Sequence, residues 1–110
     1  MFELKKLSKE AIPAALQKAE RYRLINQPWA VESICRDILA VDPEHQQALI
    51  TLLLAITDQF AEGLAAGVKQ AREVAAQLKD EYKRAYYSGI ICERQGKAHL
   101  DRQAPGAGTA

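Results

Sequence analysis

Residues capable of chemistry are few in this chain and lie far apart. Cys35 and Cys92 are the two cysteines, and His45 and His99 are the two histidines. Neither cysteine belongs to a CxxC pair, so the sequence offers neither a disulfide framework nor a four-ligand zinc set. Cys92 and His99 lie seven residues apart and could share a helix face. We predict a half-buried thiol and a surface histidine there, and no metal site.

Sequence motifs of enzymatic catalysis are also missing. The chain has no glycine-rich phosphate loop and no HExxH motif, and neither histidine has a nearby nucleophile or carboxylate pattern. We therefore expect no catalytic residues and no cofactor.

Composition favours packed helices over sheets and argues against an electrostatic nucleic-acid binder. The 110 residues include 19 alanines, one tryptophan, four tyrosines and two phenylalanines, and alanine is the best helix former. The formal net charge is only +1. It is divided as +3 over residues 1–25, −5 over 26–68 and +3 over 69–110. The N-terminal lysines alternate with glutamates, so we expect no nucleic-acid partner.

The apolar segments are too short for a membrane span. The longest, residues 48–56, is nine residues, about half of the ~20 that a spanning helix needs. The N-terminus lacks a secretory apolar core. We expect a cytoplasmic protein with no membrane partner.

Apolar periodicity and breaker residues predict five helices joined by short turns. Pro13 suits the first turn of helix one, Asn26 a left-handed C-terminal position, and Pro28 the start of helix two. Asp42 and Pro43 are expected to cap helix three, which runs to about residue 59. Helix four is expected over about 62–78. Asp80 is expected to cap helix five, which ends near residue 100, and residues 101–110 are expected to form a flexible tail or linker.

The sequence also repeats itself at helix-pair spacing. Residues of helix one recur 34 residues later on helix three and a further 36 residues later on helix five. The aligned sets are Ala15, Ala19 and Tyr22; Leu49, Leu53 and Ile56; and Ala85, Gly89 and Cys92. On the second helices, Val31, Cys35, Ile38 and Pro43 align with Gly67, Ala71, Val74 and Lys79.

This pattern resembles the tetratricopeptide repeat family, whose helix–turn–helix units are about 34 residues long. Residues 31–49, VESICRDILAVDPEHQQAL, look like a second helix running into the next unit, and residues 86–97, YYSGIICERQGK, look like a first helix and turn. The resemblance implies an all-α, right-handed stack of antiparallel helix pairs over residues 1–100. Its units would be 12–43, 44–79 and a half-unit or capping helix at 80–100. The family's large first-helix aromatic is replaced by Ala15, Leu49 and Ala85, so the repeats are degenerate.

The resemblance implies that first helices line a concave, peptide-binding face. A protein scaffold that binds an apolar or amphipathic peptide is therefore expected. The expected groove residues are Leu16, Glu20, Arg23, Gln47, Ile50, Thr51, Leu54, Asp58, Tyr86, Ile90 and Arg94.

Helix five carries two apolar stripes, and the alternative function depends on which one is exposed. The stripe of Tyr82, Ala85, Tyr86, Gly89 and Ile90 is expected to pack inward. The second stripe is then free as a partner or self-association surface; it consists of Tyr87, Ile91 and Ala98. Under this alternative the chain is a structural homo-oligomerisation module without a peptide ligand.

Overall fold

The computed structural model describes residues 7–103, with side chains through residue 101, and in this range the chain is helical without a strand. A short 3-10 helix, Lys9–Ala11, precedes the five predicted helices. They are α1 (Ile12–Leu24), α2 (Pro28–Val41), α3 (Gln46–Thr57), α4 (Leu64–Ala75) and α5 (Glu81–Gln103). The prediction of five helices without strands is confirmed over this range.

Proline and asparagine set the first two helix boundaries as the sequence predicts. Pro13 lies in the first turn of α1, and Pro28 begins α2. Between them, Asn26 has a φ of 58°, the left-handed conformation that asparagine tolerates better than most residues. The Asn26 amide also donates to the Arg23 carbonyl at 3.0 Å.

The start of α3 differs from the prediction. Helix α3 begins at Gln46, and its N-cap is His45, whose Nδ1 accepts from the Ala48 amide at 3.1 Å. Asp42 instead ends α2, where its amide donates to the Ile38 carbonyl at 2.8 Å. An N-cap side chain that accepts from the amide two or three residues later satisfies one of the unpaired amides in the first turn of the helix.

Replacing His45 should therefore weaken α3. We expect His45→Ala to lower the free energy of unfolding by about 1 kcal/mol because the Ala48 amide loses its acceptor. His45→Asn should retain most of that stability because its amide oxygen can cap the same turn. Urea denaturation followed by circular dichroism measures both, and equal losses for the two variants would rule out a capping role.

Two further helix limits move by a few residues. Helix α4 is shorter than expected at both ends: Gly63 is its N-cap rather than an interior residue, and the helix ends at Ala75. Helix α5 continues to Gln103, so residues 101–103 are helical and not part of a tail; residues 104–110 lie outside the described part. Asp80 caps α5 as predicted, with Oδ1 accepting from the Tyr82 amide at 2.9 Å.

Helix α3 is the centre of the core. It packs against α1, α2 and α4, and α5 packs against α4. Leu49 and Leu53 of α3 are fully buried with Val31 and Cys35 of α2, which explains why α3 is apolar on nearly all sides. A second, smaller cluster joins Ile12, Ile38 and Ala48 at the other end of α1.

Gly67, Gly89 and Trp29 differ in how closely the rest of the described chain packs against them. A Cβ at Gly67 would lie 3.0 Å from the Phe60 ring, so the close neighbour at Gly67 is a side chain of the preceding turn. A Cβ at Gly89 would meet nothing within 4 Å, so Gly89 does not pack inward as expected for its stripe. Trp29 is 67% exposed because it lies in the first turn of α2, beyond the core.

Candidate functional site

Helices α1, α3 and α5 enclose one concave surface, which we call the groove. Its volume is about 1130 Å³. These three helices are not consecutive in the chain. Their relative positions, and therefore the groove, depend on the packing of the intervening helices α2 and α4. The lining residues are Glu20, Arg23, Leu24, Asn26, Gln47, Thr51, Leu54, Thr57, Asp58, Phe60, Ala61, Glu93, Arg94, Lys97, Ala98 and Asp101.

The floor of the groove is supplied by α3 and the turn that follows it, and it combines apolar and polar side chains. Leu54 is half-buried against the core, and Phe60 is only 3% exposed. Thr57 Oγ1 donates to the Leu54 carbonyl at 2.7 Å, so its hydroxyl is satisfied locally. Ala98 of α5 is half-buried and continues this floor. An apolar ligand side chain could therefore bury area there without stranding a polar group.

An ionic bridge crosses the groove from α1 to α5. The Asp58 carboxylate, just after α3, accepts from Arg94 Nη1 at 2.7 Å through Oδ1. Its other oxygen, Oδ2, lies 3.3 Å from Arg23 Nε of α1. That Nε is buried and is not aligned for a hydrogen bond, so the second contact is an ion pair without the geometry of the first. We call these three residues the Arg–Asp–Arg bridge.

The rim of the groove carries both signs of charge. Glu20, Glu93 and Asp101 are exposed acids, and Lys97 is an exposed base. Leu24 at the end of α1 is 86% exposed and adds an apolar edge. Mixed charge around a partly apolar floor suits an amphipathic ligand better than a purely acidic or basic one.

Seven of the eleven residues expected in the groove line it, and four do not. The seven are Glu20, Arg23, Gln47, Thr51, Leu54, Asp58 and Arg94. Leu16 instead packs on the smaller cluster with Ile12, and Ile50 is a core residue, 6% exposed. Tyr86 is 52% exposed, and neither Tyr86 nor Ile90 borders the groove.

Most groove residues missed by sequence reasoning lie at helix ends or in turns. Asn26, Phe60 and Ala61 are in turns, and Lys97 and Asp101 lie in the last part of α5. Repeat spacing identifies positions within aligned helices but gives no information on turn residues. Extending the helix-five register from Arg94 by three and seven residues would have found Lys97 and Asp101.

The expected orientation of α5 is wrong. Ile91 is 1% exposed, and Tyr87 and Ala98 are half-buried against the core, so the stripe of Tyr87, Ile91 and Ala98 is not a free partner surface. The stripe that was expected to be buried faces outward, with Tyr82 76% exposed and Tyr86 52% exposed.

Polar contacts show the physical reason for this orientation. Arg84 Nη1 donates to the carbonyls of Leu78 and Lys79, at 2.7 and 3.0 Å, and so satisfies acceptors after α4. Arg94 reaches Asp58, and Arg72 Nη2 donates to Gln95 Oε1 at 3.3 Å. These anchors lie on the same face as Tyr87 and Ile91, and they turn that face toward the body of the protein. Apolar periodicity alone could not rank the two stripes because both contain large apolar residues.

The two cysteines occupy opposite environments. Cys35 is fully buried, and desolvation raises the pKa of its thiol to about 12. Cys92 is exposed on α5, rather than half-buried as expected, and His99 is also exposed. Within the described range, histidine, cysteine and acidic side chains form no group of three that could hold a metal ion. No helix in that range has the length and apolarity to span a bilayer.

Searches against protein-family models, curated proteins and solved structures find no match for this chain. The geometry of the groove is therefore the main guide to function.

Proposed function

We propose that this chain is a tetratricopeptide-like scaffold that binds an apolar or amphipathic peptide segment of another protein in the groove. The observation that carries the proposal is the groove itself, where alternate helices α1, α3 and α5 surround a floor that includes the apolar side chains of Leu54 and Ala98. First helices of successive units line the concave face in helical repeat stacks. On this reading α1 and α2 form one unit, α3 and α4 the next, and α5 begins a third.

The contacts between helices support this repeat arrangement. Each helix packs against its neighbour in the chain, and α1 also contacts α3. The two turns that would end successive units meet each other as well: Gln46 Oε1, next to the first turn, accepts from the Lys79 amide of the second at 2.9 Å. Pro43 and Lys79 are the aligned positions in these turns. We propose a right-handed stack of about two and a half units on these grounds.

The chemistry of the groove favours a ligand with an apolar side and charged flanks. Leu54 and Ala98, which are half-buried, offer a surface for apolar side chains. The Arg–Asp–Arg bridge is already neutralised in part, because one carboxylate serves two guanidinium groups. Specificity would then come from the exposed rim charges, which affect the rate of association more than the affinity. This binding role requires no catalysis or cofactor and fits a cytoplasmic protein.

Substitution of the groove floor tests the proposal. Short random peptides displayed on phage are selected against the wild-type protein, and binding of an enriched, fluorescein-labelled peptide is followed by fluorescence anisotropy. We expect Leu54→Lys to raise the dissociation constant at least about tenfold, a loss of about 1.4 kcal/mol, because an ammonium group replaces an apolar side chain of the floor. Circular dichroism establishes that the variant remains folded.

Trp29→Lys is the matched control because Trp29 is exposed on α2 and does not line the groove. It should leave peptide affinity unchanged. Lys97→Glu, on the exposed rim, alters charge without touching the core and should change the association rate of charged peptides and its dependence on salt. Failure to enrich any peptide, or equal affinity for wild type and Leu54→Lys, would contradict groove binding.

A further inference from the structure

The outward face of α5 is an uncovered surface with regular spacing. It consists of six residues separated by alternating steps of four and three, which we call the α5 seam: Tyr82, Tyr86, Gly89, Glu93, Gly96 and Leu100. All six are exposed, and Leu100 is 69% exposed. A repeat of four and three residues is the spacing of side chains that meet along a coiled-coil interface. Three of the six seam residues, Tyr82, Tyr86 and Leu100, carry large apolar side chains, and Gly89 and Gly96 leave space beside them.

The rest of the described chain leaves this seam open. The opposite face of α5, with Tyr87 and Ile91, provides its packing on the core. A Cβ built at Gly89 or Gly96 meets nothing within 4 Å. Glycine costs about 1 kcal/mol relative to alanine inside a helix, and neither position gains a close contact within this chain in return. A helix that approaches from outside would make use of both gaps.

The order of residues along the seam is complementary to itself in the antiparallel direction. When two copies of α5 are paired about the level of residue 91, Tyr82 lies opposite Leu100 of the second copy. Tyr86 then lies opposite Gly96, and Gly89 lies opposite Glu93. Each layer pairs a large side chain with an apolar partner or with a glycine that leaves room for it. In the third layer, the space at Gly89 allows the Glu93 stem to reach solvent.

We propose that the α5 seam is a homodimer interface in which two copies of this chain pair their α5 helices in antiparallel fashion. A two-fold contact requires that residue i meets j while j meets i, and the three layers satisfy this condition. The rings of Tyr82 and Tyr86 are stacked, with centroids 6.5 Å apart and planes inclined by 14°, and they present a flat apolar surface to the second copy. Antiparallel pairing also opposes the two helix dipoles.

This interface lies beside the groove and does not close it. Arg94, Ala98 and Asp101 line the groove from one flank of α5, and Glu93 marks the border between the groove and the seam. A dimer would place two grooves on either side of the α5 pair. The inference does not depend on peptide binding, since Glu93 is the one seam residue that also lines the groove.

Molar mass as a function of concentration tests the dimer. Sedimentation equilibrium of the full chain should show a monomer–dimer transition for the wild type. Tyr86→Glu should raise the dimer dissociation constant at least tenfold because it places a charge in an apolar layer. Ser88→Glu is the matched control, as Ser88 is exposed on α5 outside the seam, and it should dimerise like the wild type. A wild type that stays monomeric, or equal effects of the two variants, would overturn the proposal.

Thiol cross-linking tests the antiparallel register. Cys92 is exposed and lies one residue from residue 91, the level about which the two helices are paired. The proposed pairing therefore brings the Cys92 thiols of the two copies close together. A short bis-maleimide should join two copies through Cys92, whereas buried Cys35 should not react. We expect a covalent dimer from the wild type, none from Cys92→Ser and little from Tyr86→Glu. A protein that dimerises by sedimentation but does not cross-link would overturn the antiparallel register.

Discussion

Ile91→Ala should be the most destabilising of the substitutions considered for α5. We expect it to lower the free energy of unfolding by about 3 kcal/mol, because a side chain that is 1% exposed is replaced by a cavity next to α4. The neighbouring Ile90→Ala removes the same atoms from a less buried position and should cost under about 1 kcal/mol. Urea denaturation monitored by circular dichroism measures both.

This pair of variants reports on the orientation of α5 without any binding partner. If the stripe of Tyr82, Tyr86 and Ile90 faced the core instead, the order of the two losses would be reversed. Equal losses would mean that neither stripe is buried and would contradict the packing described here. Measurements at low protein concentration keep association through the α5 seam from adding to the stability of either variant.

Asp58→Ala should produce the second largest loss, about 2 kcal/mol. The carboxylate is 21% exposed and holds Arg23 and Arg94, so its removal leaves two guanidinium groups facing each other. A hydrogen bond to a charged partner contributes about 1.5–3 kcal/mol, and we take the lower part of that range because both arginines are more than a third exposed. Thermal or urea unfolding at low ionic strength provides the measurement.

Two controls separate the Arg–Asp–Arg bridge from general charge effects. Asp101→Ala removes an exposed acid from the rim of the same groove and should change stability by less than about 0.5 kcal/mol. The loss in Asp58→Ala should grow smaller in high salt, which screens the repulsion between the arginines. A loss that equals that of Asp101→Ala would mean that the bridge does not stabilise the described fold.

Helix count and most helix boundaries could be predicted from the sequence because their causes are local. Pro28 restricts its own backbone, Asn26 tolerates a positive φ, and Asp80 caps the residues directly after it. The capping by His45 was missed because an Asp-Pro pair just upstream is the stronger local signal. The central burial of α3 also follows from composition, since a helix that is apolar all round has to be covered on several sides.

The groove could be predicted only in part. Repeat spacing places Gln47, Thr51, Leu54 and Asp58 on one face of α3, and all four line the groove. It also included Ile50 and Leu16, which belong to the core and to the smaller cluster. The periodicity of an apolar residue is the same whether it contacts a core or a ligand, so sequence could not separate these two cases.

The sequence by itself determined the helices, their order and the absence of recognisable catalytic motifs, because propensity, capping and spacing act within a few residues. Only the tertiary structure decided which face of α5 is buried. That choice depends on Arg84 meeting the carbonyls of the turn after α4 and on Arg94 meeting Asp58, 36 residues away along the chain. It leaves Cys92 exposed and Cys35 buried, a difference in reactivity that the spacing of the two cysteines could not predict. Contacts between distant segments, rather than local preference, give each amphipathic stripe its role.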